Sequence, residues 1–587
     1  MKKKIFLCFI LILFFTTTLT SCFNFSFRTE ADPSTFNDYT KELLIPIIGN
    51  DEFTNHFLFK NPENYGLPKK GNIDLPAPSK ITKFDKILIN GLFYELYNYD
   101  YKDLNFDQQM TYNVLTNLVD SINNKTEKMA YLDNNFLGSY LGYQAQLPLL
   151  LNEYKFYDED DIMNYLELLN LIPLSFTKYV EFEEEKAYNG YGMPDFVIDK
   201  VIDQCNDFLN NIENHFLIQT FEDRIKGITL ETCSKDFLIE SHHEIITNEV
   251  AEGFEIIRDR LPKLYGQAKN NLGLAHYDIG KEYYTYLFQN ETGYDIKIEK
   301  AIAYIEEKLT ENYLELREII NSNPNITNIV KNTSLMTITP KEQIEAYKTL
   351  INKNFPKLKN FPNINIKYVD KSMEEHFSPA AYLTSPIDYL DEQFIYLNEA
   401  QIKDDYNYLY STLAHEGLPG HLYQDVYFKS QDVNLIRKIL KNSGYTEGWA
   451  TYTEMYSLSL VEEKNRIVAD YLLNENEFYG ALQCRLDMGI HYEGWDLDDV
   501  LTFINKYLEG YTQEKAQQIL EQIIEVPTNP QIYFFTYFKI LDMRNRVETA
   551  LGNKFNEIEF HKTILDCGPV PLKYVEIVID DYIKDNK

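Results

Sequence analysis

The sequence predicts a mainly α-helical protein with one small β-sheet placed just before a histidine-bearing helix. Three observations carry this reading. From about residue 35 to 354, apolar residues recur at spacings of three and four, as in "FDKILINGLFYELYNYD" and "DIMNYLELLNLIPLSFTKYVEFEEEKAY", which is the period of amphipathic helices. Residues 363–398 break that period with "NINIKYVD", "PAAYLTSP" and "QFIYLN". These short runs are rich in β-branched and aromatic residues and bounded by Pro, Asp and Asn, so they read as strands. From Glu399 the helical period resumes, and Tyr406, Leu409, Tyr410 and Leu413 form one apolar stripe leading into His415.

The start of the chain has a different character. "MKKK", then "IFLCFILILFF", then "TTTLTSC" gives a basic end, an apolar run and a small-residue exit, the layout of a secretory signal. The run is short for a membrane-spanning helix, which needs about 20 residues. "LTSC" resembles the bacterial lipobox, which implies cleavage after residue 21 and a lipid on Cys22. The expected organisation is a lipoprotein signal peptide over 1–21, a polar tether over 22–34, and one helical body over 35–587. That body has a helical part to about 354 and a site-bearing part from about 355. The expected location is the extracytoplasmic face of the cell membrane, held by the lipid.

Composition is ordinary for a chain with a buried interior, at 44% hydrophobic and 25% charged. The formal charge is −34, and loss of Lys2, Lys3 and Lys4 with the signal takes it to −37. So acidic a surface argues against nucleic acid as a partner, because that contact needs cations to replace counterions. Cys205, Cys233, Cys484 and Cys567 are scattered without a CxxC pair, so spacing assigns no disulfide. No phosphate loop, nucleophile elbow or dinucleotide fingerprint stands in a suitable strand-to-helix setting.

The stretch "AHEGLPGH", residues 414–421, carries the chemistry. The familiar HExxH places two histidines four apart on one helix face. Here His415 and His421 are six apart, about 240° around an ideal helix. Pro419 blocks a helical hydrogen bond, and Gly417 and Gly420 tolerate unusual torsions, so the helix is expected to end, kink or bulge there. That deformation would let both imidazoles face one ion. A hydrolytic Zn²⁺ site wants three protein ligands, an open position for water and a base. Twenty-five residues lie between His421 and Glu447, in "TEGWATYTE", the expected third ligand. Thr446 is read as the N-cap of this second helix. Thr451 and Glu454 follow Glu447 on the same face, and Glu454 is placed to orient a liganding histidine. Glu416 is expected to act as general base toward metal-bound water.

"HEGLPGH" followed by "EGWATYTE" resembles the bacterial family called domain of unknown function 885, many of whose members look like secreted or lipid-anchored hydrolases related to zinc metallopeptidases. The match falls on His415, Glu416, Pro419, Gly420, His421, Glu447, Gly448, Trp449, Ala450, Tyr452 and Glu454. "GKEYYTYL", "SPAAYLTSP", "RLDMGIHYEGW", "YFFTYFKILDMR" and "FHKTILDCGPVPL" extend it from about Gly280 to Leu572. The resemblance implies a large helical zincin-like metallopeptidase architecture.

By analogy with helical zinc peptidases, the strand around Ala380–Leu383, with Ala381 and Tyr382, or that around Phe394–Asn398, is expected to pair with an extended peptide. His491 and Tyr537 are the expected donors to a developing oxyanion, and Arg485 or Arg544 the expected partner of a substrate carboxylate. His242 and His243 are adjacent and so point to different helix faces, and His276 and His561 are assigned surface or packing roles. The function expected is peptidase or carboxypeptidase activity on peptides outside the cytoplasm. The alternatives are hydrolysis of another amide or ester, and peptide binding without catalysis.

Overall fold

A computed structural model describes residues 31–587, apart from 134, 135, 141, 370, 372, 373, 375, 376 and 404. The expected signal peptide, the lipid-bearing Cys22 and the tether as far as residue 30 lie outside the described residues. The last tether residues belong to the body: the Ala31 amide donates to the Asn98 carbonyl at 3.0 Å, and Pro33–Thr35 forms a 3₁₀ turn.

Helices dominate because sequence pattern and end chemistry agree. Reciprocal capping boxes open five of them, at Thr82, Asn105, Asp158, Thr339 and Asp496. Each such cap stabilises its helix by about 1 kcal/mol, by satisfying amides that have no partner within the helix. None of the described helices is long and apolar enough to cross a membrane.

The three strands fall where the period breaks: β1 (Asn363–Tyr368), β2 (Ala380–Tyr382) and β3 (Glu392–Leu397). Their order is β1-β3-β2, with β1 parallel to β3 and β2 antiparallel to it. Alternation along the strands divides the sheet between two cores. Ala380, Tyr382, Ile395 and Leu397 join the larger core, built by the helices of the C-terminal half and reaching back to Met110 and Met129. Ala381 and Tyr396 face the core of the helices between Tyr143 and Leu264. A third core gathers the first helices around Phe36, Phe93 and Leu115, with Ile436 and Ile439 added from far along the chain.

β3 lies between β1 and β2, so neither of its edges is open to an added strand, and the expectation for Phe394–Asn398 is corrected. β2 is an edge strand. Cys205, Cys233, Cys484 and Cys567 are free thiols, three of them buried.

Candidate metal centre

His415 lies on the helix Tyr406–Glu416, capped by Asp405, whose side chain accepts from the Tyr408 amide. Its last ordinary turn closes with Gly417 N–H donating to Leu413 O at 3.0 Å. The chain then leaves the helical path through a cis Leu418–Pro419 peptide and re-enters a helix at His421–Lys429. The Gly420 amide reaches back to Ala414 O at 2.9 Å, which folds the loop over the helix end. Only glycine fits at 420, because a Cβ there would stand 1.9 Å from the His415 carbonyl oxygen. Thus the six-residue spacing is resolved by ending one helix and starting another.

The second helix, Ser443–Ser459, is capped by Asn442, whose side chain accepts from the Tyr445 amide at 3.0 Å. The assignment of Thr446 as cap is therefore corrected: it sits inside the first turn, and its hydroxyl donates to Asn442 O. This helix is locked to the loop by Trp449, fully buried, whose indole N–H donates to Pro419 O at 2.9 Å. At Gly448 a Cβ would meet Thr536 Oγ1 at 2.6 Å, so glycine permits the close approach of the Thr536–Leu551 helix.

These contacts bring the expected donors together. The rings of His415 and His421 are 4.8 Å apart and nearly perpendicular, at 84°. Glu447 Oε2 lies 3.7 Å from His415 Nε2 and 3.3 Å from His421 Nε2. One ligand atom from each residue lies within 4.8 Å of the other two, and all three side chains are buried. On the far side of the His415 ring, Nδ1 is 3.1 Å from Glu454 Oε2, and Glu454 Oε1 accepts from Ser411 Oγ at 3.2 Å. Glu454 thus stands where the helix period put it.

The electrostatics follow from burying three carboxylates with two imidazoles. Burial alone would push His415 down, but its hydrogen bonds to Glu447 and Glu454 outweigh this and hold it up at about 9. Burial raises Glu447, yet His421 and His415 together pull it down to about 2, so it stays anionic. For His421 burial wins and the pKa falls. Glu416 is pushed up to about 8, chiefly by burial, although His415 and the Tyr382 amide oppose the rise. That amide donates to Glu416 Oε2 at 2.9 Å, tying the end of the His415 helix to edge strand β2.

Residues 86–579 match the model of a family described as "Bacterial protein of unknown function (DUF885)". The chain belongs to this family. Two solved structures share the DUF885 chain's fold. The crystal structure of "the putative lipoprotein from Colwellia psychrerythraea" is 16% identical with a TM-score of 0.78, over 94% of this chain and 98% of that one. That of "a putative lipoprotein of unknown function from Shewanella oneidensis" is 15% identical with a TM-score of 0.57, over 94% of this chain and 100% of that one. No curated protein sequence matches.

Several residues of the DUF885 chain singled out from sequence have other work. His491 is fully buried, with Nδ1 accepting from Leu274 N–H and Nε2 facing the Ile523 carbonyl at 2.9 Å. Both ring nitrogens are committed to backbone, which corrects its assignment as an oxyanion donor. The Tyr537 hydroxyl donates to buried Glu477, so that assignment is corrected too. Arg485 pairs with Glu306 and Glu493, each at 2.7 Å, and lies over the Trp495 ring. Arg544 pairs with Glu548 and Glu557, each at 2.9 Å. Both guanidinium groups serve internal ion pairs, not a substrate carboxylate. Ala381 and Tyr382 have buried side chains, and the Tyr382 hydroxyl is held by Gln393 and Asp425, so only their main chain can meet a ligand.

The residue missed is Tyr533, whose ring stacks on His415 at 6.3 Å and 20°. It lies one turn before Tyr537, in a π-helical segment, Gln531–Phe535. Such bulges re-aim side chains and are frequent at functional sites. In "YFFTYF" two tyrosines stand four apart, and it is Tyr533, not Tyr537, that reaches His415.

Proposed function

We propose that this chain is a zinc-dependent hydrolase of zincin-like architecture, a peptidase or carboxypeptidase working outside the cytoplasm on a lipid anchor at Cys22. The observation that carries the reading is the convergence of His415, His421 and Glu447 on one point, with Glu454 behind His415 and Glu416 beside it. Two imidazoles and one carboxylate are a donor set that suits Zn²⁺ and leaves a coordination position for water or substrate. Bound there, the ion would supply Lewis acidity and make water acidic enough to react near neutral pH.

The remaining chemistry belongs to the chain's own residues. Glu454 would accept from His415 Nδ1–H, which fixes the ring and leaves Nε2 as the nitrogen offered to an ion. Glu416, its carboxylate held by the Tyr382 amide, would take up a proton and return it to a leaving amine. Its link to the Tyr382 amide makes β2 the natural rail for an extended peptide: a substrate strand along that edge runs past the Glu416 carboxylate. The two lipoprotein structures of like fold support the anchored, extracytoplasmic setting.

The test is hydrolysis of a mixed peptide library by the mature chain loaded with Zn²⁺. The wild type should cleave. Glu416→Gln should keep its metal and lose about 10²- to 10⁴-fold in rate, the usual loss for a general base. His415→Ala should lose both metal and activity. A metal-loaded wild type that cleaves no peptide would contradict the reading.

A further inference from the structure

Metal-donor chemistry gathers a second time in the N-terminal half, among side chains that the hydrolytic reading does not use. The Glu52–Leu58 helix carries Glu52 and His56 one turn apart, so both project from the same face. Asp161 comes from the third position of the Glu159–Asn170 helix. There its Oδ2 accepts from the amides of Tyr157 at 2.7 Å and Asp158 at 3.2 Å. Those bonds fix the carboxylate and leave Oδ1 facing His56 Nδ1 at 3.8 Å. One ligand atom from each of Glu52, His56 and Asp161 lies within 4.8 Å of the others, the same closeness as at His415, His421 and Glu447.

The spacing is informative. At 3.8 Å, His56 and Asp161 are too far apart for a hydrogen bond. Two donors each about 2.1 Å from a shared ion stand between about 3 and 4 Å apart, and this pair does. The cluster is also built to hold its shape. Glu52 accepts from the Gly71 amide at 2.7 Å and from Asn164 Nδ2 at 3.3 Å. The His56 ring is clamped face to face on Tyr154, at 3.7 Å and 7°.

Two buried polar atoms at this cluster have no protein partner: His56 Nε2, on a side chain 6% exposed, and Asn164 Oδ1, on the amide that already donates to Glu52. A cation held between the imidazole and the two carboxyl groups would take the place of the missing His56–Asp161 hydrogen bond.

We propose that Glu52, His56 and Asp161 form a second divalent-cation site, a structural clamp between the Glu52–Leu58 and Glu159–Asn170 helices. One imidazole with two carboxylates suits Zn²⁺ or Mn²⁺ better than a purely hard ion such as Ca²⁺. The site owes nothing to the hydrolytic proposal, and the two fail separately.

The test is to strip the full mature chain of metal, titrate it with Zn²⁺ and count the ions retained after desalting. Two per chain are expected in the wild type, one in His56→Gln, one in His415→Ala and none in the double variant. Zn²⁺ should raise the melting temperature of His415→Ala but not of the double variant. Should His56→Gln fold poorly, Asp161→Asn carries the test, since its amide oxygen can still accept the capping amides. A wild type that holds one ion, lost in His415→Ala and kept in His56→Gln and Asp161→Asn, overturns the second site and leaves the first standing. A chain whose ion survives His415→Ala and disappears with His56→Gln supports the second site alone.

Discussion

Glu454 stands behind His415, where it would support the proposed centre without touching the ion. Its carboxylate meets His415 Nδ1 at 3.1 Å and is itself held by Ser411, so it fixes the tilt of the ring. Glu454→Ala should lower Zn²⁺ affinity by about 10- to 100-fold, the range found when such supporting carboxylates are removed. Competition against a chromophoric chelator measures this, and unchanged affinity would remove Glu454 from the centre. Glu454 was legible in the sequence because helical spacing relates it to Glu447 seven positions earlier, a local relation. His491 and Tyr537 were misread because residue type alone does not say which way a side chain faces. Burial and a backbone partner claimed His491, and Glu477 claimed Tyr537. Tyr533 was hidden by a π-helical turn, which shifts the facing of residues after it and has no period to betray it.

Among the elements, the "HEGLPGH" corner decides whether a centre exists. Between Glu416 and His421 the chain leaves one helix and enters another, where Gly420 lies against the His415 and Ala414 carbonyls and Trp449 of the Ser443–Ser459 helix holds the Pro419 oxygen. Gly420→Ala places a methyl group 1.9 Å from the His415 carbonyl oxygen, which only a backbone shift can relieve. The expected cost is about 1 to 3 kcal/mol, typical of overpacking, together with loss of bound Zn²⁺. Urea unfolding and metal content on the same sample measure both, and a variant with wild-type metal content would show that the corner is not what aligns the imidazoles. The need for a deformation could be read from Pro419 and Gly420, but its form, two helices joined at a corner, depends on Trp449 thirty residues away. The three strands were read closely, since breaks in period are local. Their order was not, and it is the order that closes β3 and leaves β2 as the edge. The cap of Ser443–Ser459 was placed four residues late because Thr446 and Asn442 are both good caps, and the helix simply extends to the earlier one.

The whole molecule places the sheet between two helical cores, so β2 is braced from both sides, while the Glu416–His421 corner packs in the larger core. Long-range ties complete the frame: Ser139 from the first half is held by Glu525 through both its amide and its hydroxyl, at 2.5 and 2.6 Å. Such ties leave no trace in local pattern. The sequence therefore showed two halves in succession, whereas the larger core draws Met110 and Met129 from the first half into the second. We propose that this frame holds a divalent ion on His415, His421 and Glu447. The most direct measurement is anomalous diffraction at the zinc edge from crystals of the mature chain loaded with Zn²⁺. A peak bounded by His415 Nε2, His421 Nε2 and the Glu447 carboxylate, about 2.0 to 2.2 Å from each, is expected. Crystals grown with Zn²⁺ that show no peak there, with the two imidazoles turned apart, would contradict it.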